Sequence, residues 1–96
     1  MSNYILLYQY VENYLEARTP YRPKHIENIK AHVARGEILM AGAFANPADG
    51  AVIVFKTDDK SIIEKFVEDD PYQQNGVVTG WSIHEWTLAI GGERLE

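Results

Sequence analysis

Two stretches of the chain carry apolar side chains at odd and even positions alike, and this doubling constrains the fold more than any other feature. In residues 4–10, YILLYQY, Tyr4, Leu6 and Tyr8 stand against Ile5 and Leu7, and in residues 51–55 Ile53 and Phe55 stand against Val52 and Val54. Aromatic and β-branched residues favour strands, and successive strand side chains point to opposite faces, so both faces of the resulting sheet need cover. Helices can supply one cover. A second copy of the chain is the simplest source of the other, because two-fold homodimers are the commonest oligomers and a bare face would be a large exposed apolar patch.

The segments between and beyond these strands supply the helices. Thr19-Pro20 reads as an N-cap with proline in the first turn of a helix in which Ile26, Ile29 and Val33 recur at helical spacing until Gly36. Ile38–Phe44 and Ala51–Phe55 read as a hairpin joined by the turn-rich residues 46–50. Thr57, Asp58 or Asp59 can cap a second helix with Ile62, Ile63, Phe66 and Val67 on one face and a stop at Pro71. Val77–Ile90 favours a last strand, with Gly80 as a bulge. The order βαββαβ is that of an α+β, ferredoxin-like sandwich with both helices on one face of an antiparallel sheet. Ninety-six residues give room for one domain, taken as 1–90, with 91–96 read as a flexible tail.

Charge and composition narrow the partners. Nine Lys plus Arg against fourteen Asp plus Glu leave a net charge of -5, which repels phosphate backbones and anionic lipid, so neither nucleic acid nor a membrane is expected as partner. The chain has no cysteine, which removes a disulfide framework, a thiolate nucleophile and any Cys-based metal site. Its three histidines lack close ligand spacing, and no Gly-rich phosphate loop is present, so no metal and no cofactor are expected. The start MSNYILLYQY lacks the basic region of a signal peptide, and the expected location is the cytoplasm.

Two helix ends break the usual electrostatic preference for acids early and bases late. The first helix opens with Arg22, Lys24 and His25, and the second closes with Glu68, Asp69 and Asp70. Such local violations mark candidate functional sites, although the two ends can also simply neutralise one another. A carboxylate that accepts a hydrogen bond from one imidazole nitrogen sets the tautomer and orients the other nitrogen for proton abstraction. Asp70 fits that role toward His25, since the following proline holds it extended at the helix exit. His32, seven residues on, and His84 are weaker candidates for ligand contact. Tyr10, Tyr14, Tyr21 and Tyr72 can line a pocket with polar tips or serve in the core. Neither His25 nor Asp70 is expected to carry core packing.

Arg22-Pro23-Lys24-His25, Gly36, Ala41-Gly42, Asp49-Gly50 and Asp70-Pro71-Tyr72 followed by Gly76-Val77-Val78 together resemble the YciI-like, YCII-related family over almost the whole chain. Ala43 departs from the pattern, which commonly has proline after the glycine. The resemblance implies a dimeric α+β barrel of two ferredoxin-like protomers packed sheet to sheet, with His25 and Asp70 as the pair in each cleft. It further implies small, often aromatic or lactone-like substrates and a cofactor-free lyase, dehydrochlorinase or isomerase. In such chemistry His25 takes the proton, Asp70 orients it, Arg22 stabilises the oxyanion and Tyr72 positions the substrate. A non-catalytic metabolite-binding dimer and a structural ion pair are the other readings.

Overall fold

The structure is a computed structural model that describes residues 2–91. Its elements run β1 (Asn3–Tyr10), α1 (Tyr14–Ala17), α2 (Arg22–Ala34), β2 (Ile38–Ala43), β3 (Gly50–Lys56), α3 (Lys60–Asp69), α4 (Pro71–Gln74) and β4 (Val78–Glu85). The strands form one sheet in the order β2-β3-β1-β4, every neighbouring pair antiparallel. This is the expected α+β, ferredoxin-like arrangement, with two single-turn helices added. Residues 92–96, most of the stretch read as a tail, lie outside the described residues. Among the described residues no helix is long and apolar enough to cross a membrane.

One sheet face is packed by the helices. Leu6, Tyr8 and Tyr10 of β1 and Ala51, Ile53 and Phe55 of β3 are buried in one cluster with Ile63, Phe66 and Val67 of α3 and Tyr72 of α4. Antiparallel partners share a face. The register therefore places Ile5, Leu7, Val52, Val54 and Met40 together on the other face, and Phe44 follows them because its ring lies against Gly50. Leu7, Met40 and Phe44 are 36%, 50% and 46% exposed. The doubled apolar pattern thus has a physical counterpart: a second apolar face with no helix on it.

Several boundaries differ from the sequence expectation for identifiable reasons. The helix expected from Thr19-Pro20 begins at Arg22 instead, with Tyr21 at the N-cap position and no side-chain cap. The short helix α1 intervenes, Pro20 sits in the turn that links it to α2, and Pro23 occupies the first turn. The buried residues of α2 are His25 and His32, whereas Val33 is 47% exposed. Spacing set the helix but not its inward face, because each histidine finds a carboxylate to bond. Asp59 caps α3, accepting from the Ser61 amide and hydroxyl at 2.9 and 2.6 Å, and these bonds hold its carboxyl below the usual range.

Pro71 ends α3 as expected but also begins α4. The last strand stops at Glu85, not Ile90, because its partner β1 begins at Asn3 and the final cross-strand bond runs from the Trp86 amide to the Asn3 carbonyl. The bulge expected at Gly80 falls one residue earlier: Gln9 pairs with Gly80 and Tyr10 with Val78, leaving Thr79 as the extra residue.

Candidate active site

Asp70 is the residue between α3 and α4, where they meet the sheet and α2. Its backbone is extended (φ −77°, ψ 118°), as a residue before proline should be. In that pose its side chain turns back on the next helix, and Oδ1 accepts from the Tyr72 amide at 3.0 Å. The same oxygen lies 2.8 Å from Nδ1 of His25 in α2, and Oδ2 accepts from the Tyr8 hydroxyl of β1 at 2.7 Å. Asp70 is fully buried and His25 is 5% exposed. An acid at the end of α3 is unfavourable toward that helix, but the same acid is a favourable N-cap for α4, which offsets the conflict.

An ionised carboxylate only accepts hydrogen bonds, so the neutral His25 ring carries its proton on Nδ1 and leaves Nε2 with a lone pair. The ring stacks on Tyr72, centroids 3.6 Å apart and planes within 5°. Nε2 makes no hydrogen bond among the described residues, and His25 forms part of the wall of a cavity of about 210 Å³. The cavity lies between α2 and the β2–β3 edge. Ile26 and Ile29 line one side, and Ala41 and Ala43 of β2 with Ala51 of β3 line the other. The space exists because β2 presents Ala41 and Ala43 in the rows where β1 presents Leu6 and Tyr8, with Ala51 of β3 beside Tyr8. An engineered cavity of about 150 Å³ holds benzene, so the volume suits one six-membered ring with substituents.

The residues singled out in the sequence occupy different positions around this cavity. Arg22, in the first turn of α2, lines it and is exposed. Tyr72 does not line it: the side chain is fully buried beneath His25, where it supports the imidazole from behind. Among the described residues its hydroxyl has no hydrogen-bond partner, and burial pushes its pKa up to about 12. Burial and the neighbouring Asp70 raise that of Tyr8 further, and burial raises that of Tyr10. Tyr10 and Tyr14 reach the cavity, stacked at 3.9 Å.

The other two histidines stand apart from the cavity. His32 bonds Glu37 through Nδ1 at 2.8 Å and packs edge-on against Phe66. His84 is exposed, its Nε2 2.9 Å from the Ser82 hydroxyl. Among the described residues no group of three or more His, Asp or Glu side chains is arranged to hold a metal.

Two participants escaped the sequence reading. Tyr8 read as a core aromatic, and its hydroxyl contact with Asp70 spans 62 positions. Arg18 also lines the cavity. It donates to the Tyr14 hydroxyl at 3.1 Å, with its guanidinium 5.1 Å from the ring centroid, and the i, i+4 spacing of Tyr14 and Arg18 was the available signal.

Residues 2–87 match the model of the YCII-related domain. The chain belongs to that family. Among solved structures it is similar to 5-chloro-2-hydroxyhydroquinone dehydrochlorinase (TftG) from Burkholderia phenoliruptrix, in complex with 2,5-dihydroxybenzoquinone. The TM-score is 0.78 at 15% identity, over 91% of this chain and 95% of that one. It is also similar to a protein from Agrobacterium tumefaciens, with a TM-score of 0.60 at 15% identity over 94% and 95% of the two chains. At such identities the likeness is one of fold. No curated protein shows a significant sequence match.

The burial of the pair corrects the expectation that His25 and Asp70 stand clear of the core. Asp70→Asn replaces an acceptor of three donors by a group that itself donates, and should lower stability by about 1–3 kcal/mol in urea denaturation. Tyr72→Phe removes only an unpartnered buried hydroxyl and should leave stability unchanged or raise it. Tyr72 also adds an alkaline limit. An unfolded tyrosine ionises from its ordinary value of 10.0 while the folded one holds its proton to about 12, so the folded state loses stability as pH rises across that window. Tyr72→Phe should lessen that fall. A Tyr72→Phe protein weakened as much as Asp70→Asn would contradict this account of the pair's support.

Proposed function

We propose that the cavity between α2 and the β2–β3 edge is a small-molecule site, and that His25, oriented by Asp70, acts there as general base on a one-ring hydroxylated compound. The observation that carries the reading is the buried Nδ1 contact to Asp70, which leaves Nε2 without a hydrogen bond among the described residues in a side chain that lines a ring-sized cavity. A base within hydrogen-bond reach of an acidic hydroxyl or carbon needs no cofactor for proton transfer. Arg22 is the residue placed to stabilise the oxyanion. Tyr72 contributes indirectly, since its ring stacks on the imidazole and supports it from behind.

The chemistry balances with these groups alone. His25 Nε2 takes a ring-hydroxyl proton, the oxygen's electron pair moves into the ring, and the proton returned to a ring carbon completes a tautomerisation. If that carbon bears chlorine, loss of a second hydroxyl proton expels chloride with its bonding pair, for a net loss of HCl. The YCII-related family and the fold shared with a dehydrochlorinase support this class of reaction. The 5% exposure of His25 favours, as a second reading, a binder of small metabolites that performs no chemistry, because a catalytic base must reach its proton.

Turnover decides between them. A screen of chlorinated and unchlorinated hydroxyquinols and enol lactones should find at least one substrate consumed by the wild type. His25→Gln should reduce kcat by a factor of about 10²–10⁴. Binding without turnover in the wild type would leave the binder, and equal turnover by His25→Gln would exclude the His25 mechanism.

We also infer a homodimer packed through the bare sheet face, supported by the exposed Leu7, Met40 and Phe44 on it. Obligate interfaces commonly bury about 2,000 Å² or more, which a sheet face of this kind can supply. Light scattering at micromolar concentration should give twice the 10.9 kDa chain mass, and Leu7→Asp with Met40→Asp should give the monomer. A monomeric wild type would contradict the inference.

A further inference from the structure

The charges around the cavity run against those of the chain. The protein carries a net charge of -5, yet Arg18 and Arg22 line this space and, among the described residues, no Asp or Glu does. Neither guanidinium forms an ion pair among the described residues. Asp70, the nearest acid behind His25, already receives three hydrogen bonds and has no accessible surface to offer.

The N-terminus of α2 adds to the same sign. It has no side-chain cap and no acid in its first turn, so the positive end of the helix is left uncompensated beside Arg22. Arg18 is the better fixed of the two arginines. It is half-buried, held against Tyr14 by one Nη1 bond and by contact with the ring, and Tyr14 is in turn clamped against Tyr10. One of its five N–H donors is thereby used, and the rest are free for a ligand. Arg18 and Arg22 stand four positions apart in the chain and both line the cavity, as does the Tyr14 that Arg18 contacts.

We propose that the cavity selects an anionic one-ring compound, a ring carboxylate or a phenolate, and that Arg18 pairs with Arg22 to hold the anionic group while the alanine-lined wall takes the ring. This rests on the reading of the cavity as a small-molecule site, but it does not require that His25 perform catalysis. A carboxylate or phenolate oxygen facing two guanidiniums gains charge-assisted hydrogen bonds, whereas a neutral isostere offers them no counter-charge. Arg18 is thus a specificity-determining residue of the site.

Benzoate and its neutral isostere benzamide test this directly by amide chemical-shift titration of the full chain. Benzoate should perturb Arg22, His25, Ala41 and Ala51 and bind the wild type at least about tenfold more tightly than benzamide, the factor that one charge-assisted bond supplies. Arg18→Gln should erase most of that preference with little change toward benzamide, and Arg22→Gln should do likewise. Arg18→Lys keeps the charge and should keep part of the preference, which separates lost charge from lost packing on Tyr14.

Equal affinity for the two probes, no binding of either, or shifts confined to residues away from the cavity would each overturn the proposal. A benzoate preference in a protein that turns nothing over would uphold it while removing the catalytic reading. Turnover confined to uncharged substrates would do the reverse.

Discussion

A single carboxylate, Asp70, receives one donor from β1, one from α2 and one from α4, and these three elements owe their mutual placement to it. A buried charge is tolerated only when its acceptor positions are filled, and removal of any one donor would leave part of it unsatisfied in a low-dielectric interior. The requirement runs outward from there. Tyr8 must lie on the helix-facing side of β1, which fixes that strand's parity and its register with β3. His25 must point inward from α2, which turns Val33 outward. Tyr72 must follow Asp70 at the start of a helix, and its ring then closes over the imidazole that Asp70 holds.

The cavity is the complement of that arrangement. With His25 pinned at one wall, the distance between α2 and the sheet edge is set, and the small side chains Ala41, Ala43 and Ala51 leave the intervening volume unfilled. Protein interiors pack to the density of organic crystals, so a ring-sized space beside an oriented imidazole is a feature the packing must maintain rather than slack in it. Rigidity comes from aromatic stacking at two levels, Tyr72 beneath His25 and Tyr10 beneath Tyr14, with Arg18 braced on the second stack. The cavity thus combines an oriented imidazole, a braced guanidinium and an apolar wall within one chain.

Much of this was legible in the chain. The βαββαβ order follows from apolar periodicity and turn residues, and the two helix ends with the wrong charge flagged His25 and Asp70, which the fold brings to 2.8 Å. The single-turn helices α1 and α4 were not read, since four residues are too few to show a 3.6-residue period. The α4 start was nonetheless written in Asp70-Pro71, a capping acid followed by proline at the first helical position. The inward turn of α2 was hidden because its buried positions are histidines whose partners, Asp70 and Glu37, belong to other segments. Trp86, Thr87 and Leu88 favour extended structure as strongly as β4 itself, but strand pairing ends where the partner strand does. Tyr8 stands in the apolar pattern of β1 and Arg18 in none, because their significance lies in hydroxyl and guanidinium contacts that hydrophobic patterning does not register.

The central claim is that Asp70 holds the neutral His25 ring with its proton on Nδ1 and leaves Nε2 bare in a side chain that lines the cavity. Long-range ¹H–¹⁵N NMR of the imidazole nitrogens in the wild type reads this tautomer directly. The account predicts an N–H-type Nδ1 and an unprotonated Nε2 in the neutral ring, with that order lost in Asp70→Asn. A neutral His25 carrying its proton on Nε2 while Nδ1 is bare would mean that Asp70 donates rather than accepts, and would contradict the account.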